Sequence, residues 1–180
     1  MLDLLEREKQ KNEDLAFPSI LLDTLFTTQL IRTRHSVKVL EYGSFDGQFS
    51  WHLAELLGTF CPESSLVCAY DAIELEWIQQ MDQVKRFPKL SYFAGDFGNL
   101  LLQQHSFDVV LINGRVNYLE PKNVILDAVR LAKDNGVLFC YCDGTPLLES
   151  TFKLFFEERE EFEITPSRTV LVGQIGEASK

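Results

Sequence analysis

The sequence predicts a doubly wound α/β sandwich, a mostly parallel sheet of seven strands closed by a C-terminal antiparallel hairpin, with helices on both faces. Three observations carry this expectation. Short apolar runs alternate with stretches of helical periodicity five times, which calls for parallel strands joined by right-handed crossovers. Each of the five runs ends in a polar or small residue: Glu41, Asp71, Gly95-Asp96, Asn113 and Asp143. After the last helix, two strand-like runs flank Pro166-Ser167-Arg168, which is the pattern of a hairpin.

Residues 1–35 form a candidate N-terminal helical segment, and residues 36–180 the sheet domain. Leu2, Leu4 and Leu5 give residues 1–16 one apolar side, and Pro18 suits the first turn of a second helix running to about Ile31. The first strand (Val37, Val39, Leu40) ends at Glu41; Gly43 and Gly47 then bracket a turn, and Phe49, Leu53, Leu56 and Leu57 recur at helical spacing. Leu66 to Tyr70 is a continuous apolar run, the mark of a strand buried on both faces. A helix carrying Trp77, Ile78, Met81 and Val84 follows and stops at Pro88.

Leu90 to Ala94 is the third strand, Leu100 to Gln104 a short helix, and Phe107 to Ile112 the fourth strand. Pro121 to Lys133 is a helix with Val124, Ala128, Leu131 and Ala132 inward and Asn135-Gly136 as its stop. The fifth strand runs from Val137 to Cys142. A helix opened by Thr145-Pro146 buries Leu148, Phe152, Phe155 and Phe156, and the hairpin pairs Glu161–Thr165 with Thr169–Ile175.

Composition narrows the function classes. An apolar fraction of 46% with 12% aromatics supports a packed core, and a formal charge of −10 argues against a non-specific nucleic-acid face, which needs clustered Lys and Arg. No apolar run approaches the roughly 20 residues of a membrane span, and the charged start does not read as a signal peptide, so the expected compartment is the cytoplasm. Cys61, Cys68, Cys140 and Cys142 contain no Cys-x-x-Cys and have no histidine at ligand spacing, so they read as buried reduced thiols.

The chemistry is expected at the glycine turn. A strand, glycine loop and helix bring free N–H groups to the carboxyl edge of a sheet and let a ligand approach the backbone, a seat for a nucleotide-like cofactor. Asp71, 24 positions beyond Gly47, offers two acceptor oxygens to ribose hydroxyls. Asp96 either accepts from the exocyclic amine of adenine, with Phe97 over the ring, or caps the next helix. The loop lacks Gly-x-Gly-x-x-Gly and no Gly-Lys-Ser/Thr follows, which weakens NAD-linked and P-loop readings.

Glu41-x-Gly43-x-x-x-Gly47, Asp71, Gly95-Asp96, the Asp108-to-Asn113 strand and the hairpin resemble the class I S-adenosylmethionine-dependent methyltransferases over residues 37–175. Within them, Leu-Glu-x-Gly-Ser-Phe-x-Gly is similar to the first motif of the catechol and caffeoyl-CoA type O-methyltransferases. The resemblance implies a Rossmann-like fold and S-adenosylmethionine as cofactor. It also implies that Glu41, Gly43, Ser44, Phe45 and Gly47 line the methionine and ribose side, that Asp71 with Ala72 holds the ribose, that Asp96 and Phe97 hold the adenine, and that Asn113 borders the cofactor.

The catechol type holds magnesium with an aspartate after the fourth strand and an Asp-Asn pair after the fifth, beside a lysine base. Here those regions read Asn113-Gly114-Arg115 and Cys142-Asp143-Gly144. One carboxylate is a poor cage for a hard divalent ion, so no metal is expected. Arg115 stays protonated and cannot act as the base; it either recognises an anionic substrate or forms a surface ion pair.

The expected activity is methyl transfer to an oxygen or nitrogen of a small molecule, with Asn113 or Asp143 orienting the acceptor. A silent cofactor-binding or scaffold protein is the alternative, because the cofactor loop is intact while the base and metal set are missing. The expected partner is a small-molecule substrate, with a second copy of the chain joined through the N-terminal helices as a candidate, and residues 1–35 or that copy supplying a lid; neither nucleic acid nor membrane is expected.

Overall fold

A computed structural model describes residues 20, 36–43, 50, 53–54, 57–58, 61–70, 90–94, 104–114 and 120–176. The helices expected within 1–31, 73–86 and 100–104 lie outside the described residues, apart from Ile20, which is helical, and Gln104, which is in a turn and not a helix. The strands are β1 (Lys38–Tyr42), β2 (Ser65–Tyr70), β3 (Leu90–Ala94), β4 (Phe107–Asn113), β5 (Ala132–Asp143), β6 (Arg159–Thr165) and β7 (Arg168–Gln174). Two C-terminal helices, α1 (Pro121–Leu131) and α2 (Pro146–Phe155), flank β5 in sequence. The result is a mixed α/β, Rossmann-like fold.

The sheet runs β3-β2-β1-β4-β5-β7-β6, parallel through β5 and antiparallel from β5 to β7 and β7 to β6. The chain builds outward from β1 through β2 to β3, then returns to place β4 on the other side of β1. That reversal makes the gap between β1 and β4 the topological switch point, where open α/β sheets bind ligands beyond the carboxyl ends of their strands.

Every residue of β4 is buried, which is why its sequence is nearly all apolar. Asp108 and the terminal Asn113 are the exceptions, and the charge of Asp108 is met at the amino edge. Its Oδ2 accepts the Lys38 backbone N–H at 2.9 Å and its Oδ1 lies 2.8 Å from Lys133 Nζ. This staple ties β1, β4 and the start of β5 together at the edge opposite the switch point.

Pro121 occupies the first turn of α1, where its missing N–H costs nothing, and Val124, Ile125, Ala128 and Leu131 form the buried stripe. That stripe, with Leu148 and Phe152 of α2, covers the sheet face bearing Leu40, Val110, Ile112, Leu138, Cys140 and Leu171. Fully burying a side chain such as Phe152 or Leu138 stabilises by roughly 1.5–3 kcal/mol. On the opposite face Val39, Leu111 and Phe139 are also fully buried.

Several details differ from the sequence expectation, among them the start of β5 at Ala132 and of β6 at Arg159. Glu41 is not the end of β1 but lies inside it, with Tyr42 last. Helix α1 stops at Leu131, not near Lys133, because Ala132 turns extended and already pairs with Phe107. Asn135 takes the left-handed conformation, φ 60°, while the adjacent Gly136 is required by close approach, since a Cβ there would lie 2.8 Å from the Lys133 carbonyl. In α2, Phe155 is 36% exposed and does not belong to the buried stripe. The helix ends at Phe155, the extended Phe156 leaves it, and the Phe156 ring turns in to stack on Phe152 at 4.7 Å between centroids.

Candidate cofactor and acceptor site

Register places the candidate residues. Tyr42 pairs with Ile112, so Gly43 comes level with Asn113 at the carboxyl edge, directly at the switch point. Asn113 in turn pairs with Tyr141, two residues before Asp143 ends β5. Side chains alternate along strands, so Glu41, Asn113 and Asp143 share the face opposite the α1 and α2 core.

Gly43 adopts φ 80°, a left-handed turn that strains any residue with a Cβ. It lets the chain leave β1 sharply and places backbone without a Cβ at the edge where a cofactor would lie. Directly beneath it, Glu41 is fully buried, and its carboxylate accepts a hydrogen bond from the hydroxyl of Ser50, which is equally buried and helical. Sequence reasoning missed this contact.

Asn113 is 1% exposed, so its amide belongs to the packed floor of the edge. Gly114 sets how closely β4 approaches β5: its N–H donates to the Tyr141 carbonyl at 2.6 Å, and a Cβ would lie 2.0 Å from that same oxygen. The hydroxyl of Thr145, at the start of α2, lies 3.1 Å from the position of that Cβ and is buried with no hydrogen-bond partner among the described residues.

Asp143 is half-buried and sits opposite Arg168 in the β5–β7 ladder. Arg168 Nε donates to its Oδ1 at 3.2 Å, so the carboxylate at the end of the fifth strand is compensated by a guanidinium. Gly144, with φ 63°, has open space where its Cβ would be. Arg168 was read from sequence only as part of a turn.

Ser44, Phe45, Gly47, Asp71, Ala72, Asp96, Phe97 and Arg115 lie outside the described residues. Among the described residues, no group of three or more His, Cys, Asp and Glu side chains has metal-binding geometry. Cys61, Cys140 and Cys142 are free thiols and buried. No described helix is long and apolar enough to cross a membrane.

The family model described as a methyltransferase domain matches residues 40–140, more than half of the chain. No curated protein matches the sequence. Among solved structures, the fold is similar to the DszA carbon methyltransferase, with TM-score 0.68 and 15% identity over 90% of this chain and 53% of that one. It is similar to the N-methyltransferase NodS of Bradyrhizobium japonicum WM9, with TM-score 0.59 and 19% identity over 86% of this chain and 97% of that one. A SAM-dependent methyltransferase from Aquifex aeolicus gives TM-score 0.62 and 13% identity over 77% and 82%. The chain spans about half the length of the CurJ and DszA carbon methyltransferases, 49% and 53%. The domain match across β1 to β5, on a sheet whose switch point lies at Gly43 and Asn113, shows that the chain belongs to the class I S-adenosylmethionine-dependent methyltransferases.

Proposed function

We propose that this protein transfers the methyl group of S-adenosylmethionine to an oxygen or nitrogen of a small molecule, without a metal ion. The observation that carries the reading is the meeting of Gly43, Asn113 and the Asp143–Arg168 pair along one carboxyl edge. The described residues fit the cofactor: Gly43 gives a Cβ-free turn at the switch point, with buried Glu41 anchored below it. In this reading Gly43, Ser44, Phe45, Gly47, Asp71, Ala72, Asp96, Phe97 and Asn113 hold the cofactor, with Glu41 beneath the turn that carries them, in a first motif of catechol and caffeoyl-CoA type. We read the architecture as the full doubly wound sandwich with helices on both faces, a reading supported by the helical, buried Leu53, Ala54 and Leu57. The buried free thiols suit a reducing compartment, the cytoplasm.

When bound, S-adenosylmethionine supplies an electrophilic methyl on a sulfonium centre. The chain's contribution is geometric: holding the acceptor in line with that methyl and excluding water, which lowers the barrier by saving orientational entropy. A base is needed only for an acceptor that still carries its proton. Asp143 is the accessible polar group at the edge and is assigned to orient the acceptor, with Asn113 shaping the floor. The Arg168 guanidinium stands against Asp143, where a divalent cation would have to bind, and its charge opposes one.

A second reading, a silent binder of the same cofactor, is favoured by the ion pairing of Asp143 and the burial of Asn113. Turnover on a panel of phenols, amines and other small metabolites, with added magnesium and with a chelator, tests the proposal. Methylation of at least one acceptor that is unchanged by chelator supports it; chelator-sensitive turnover contradicts the metal-free mechanism. Tight cofactor binding with no turnover on any acceptor favours the silent binder.

A further inference from the structure

We infer that Glu41 is a positioning residue which acts through Ser50, fixing the two ends of the glycine loop, and that it does not itself contact the cofactor. The inference rests on the cofactor reading above and assigns its first motif a mechanical part.

Glu41 sits within β1, level with Cys68 of β2 and Leu111 of β4, and has no exposed surface. A carboxyl group so enclosed must be hydrogen-bonded to be tolerated, and the Ser50 hydroxyl, itself fully buried, donates to Oε2. Shielding from water strengthens such a bond, since no solvent competes for either partner.

The two residues are nine apart in sequence, one on the strand before the glycines and one on the helix after them. Their bond therefore ties together the exits of the segment that carries Gly43 and Gly47. Fixing loop ends before binding removes conformational freedom that would otherwise be lost when the ligand arrives, and so raises affinity without a new contact. Gly43, already committed to φ 80°, lies two residues beyond Glu41.

The test is calorimetric titration of S-adenosylmethionine into the wild type, Ser50→Ala, Glu41→Gln and the double variant, with melting of each unliganded protein alongside. Ser50→Ala removes one oxygen from a buried site and leaves the packing close to intact; Glu41→Gln replaces the acid by an amide but keeps an oxygen that Ser50 can reach. We expect Ser50→Ala to weaken binding about tenfold, with far less effect from Glu41→Gln, and the double variant to be no worse than Ser50→Ala. Binding is measured well below each unliganded midpoint, so a merely structural role would lower the midpoint and leave affinity unchanged. Wild-type affinity in Ser50→Ala, or a loss seen only in Glu41→Gln, overturns the inference. Absence of binding by the wild type overturns instead the cofactor reading beneath it.

Discussion

Asp143 and Arg168 face one another across β5 and β7, with the arginine Nε 3.2 Å from the carboxylate Oδ1. The pair places a compensated carboxylate at the end of the fifth strand. Asp143→Asn is expected to lower kcat by on the order of tenfold or more while changing cofactor affinity less than twofold, because the proposed function gives Asp143 the acceptor to orient and β5 stands two strands from β1 along the edge. Initial rates at saturating cofactor, paired with a binding isotherm, check it. Arg168→Ala should cost no more than about 1 kcal/mol of stability, as expected of a partly solvated ion pair.

Gly114→Ala tests the close approach of β4 and β5. The added Cβ would meet the Tyr141 carbonyl at 2.0 Å, a backbone atom that cannot swing aside. Overpacking of this kind costs roughly 1–3 kcal/mol, and at about 2–4 °C per kcal/mol for a chain of this size a thermal melt resolves it.

Phe152→Ala and Leu154→Ala differ by two positions on α2 and should differ greatly in effect. Phe152 is fully buried against Phe156 and the sheet, so its truncation should cost about 3–5 kcal/mol. Leu154 is 82% exposed and its truncation should fall within about 0.5 kcal/mol. Urea unfolding of both variants decides whether the face assignment of α2 is right.

Burial pushes the Cys140 thiol well above its ordinary value, with the neighbouring Cys142 and Glu149 adding to the effect. The neutral thiol is the form the fold accepts, so its stabilising contribution is fully present below the ordinary thiol value and is lost as pH rises toward the folded one. Between roughly pH 8 and pH 10, the melting midpoint of the wild type should fall more steeply than that of Cys140→Ala. Parallel slopes would show that Cys140 does not drive the alkaline loss.

Much of this architecture is legible because burial on both faces leaves plain marks in sequence. The run from Phe107 to Asn113 is apolar but for two residues, and both of its polar side chains have structural reasons: Asp108 is stapled to Lys133 and Asn113 ends the strand at the switch point. Prolines at the first turns of α1 and α2 marked both helix starts. The pairings that tune the site were not legible. Ser50 meets Glu41 from nine positions further along the chain, and Arg168 meets Asp143 only through the register of β7 against β5, 25 residues away. Periodicity also failed at Phe155 and Phe156, where the helix ends and the 3.6-residue repeat stops deciding which ring turns inward.

The central claim is that the switch-point edge at Gly43 and Asn113 seats S-adenosylmethionine. Its most direct test is calorimetric titration of the wild-type chain with S-adenosylmethionine, with its demethylated product and with NAD. Both sulfur compounds should give an isotherm of about micromolar affinity and a matching rise in melting temperature by mass action, and NAD should give no heat. A clear isotherm with NAD and none with either sulfur compound would contradict it.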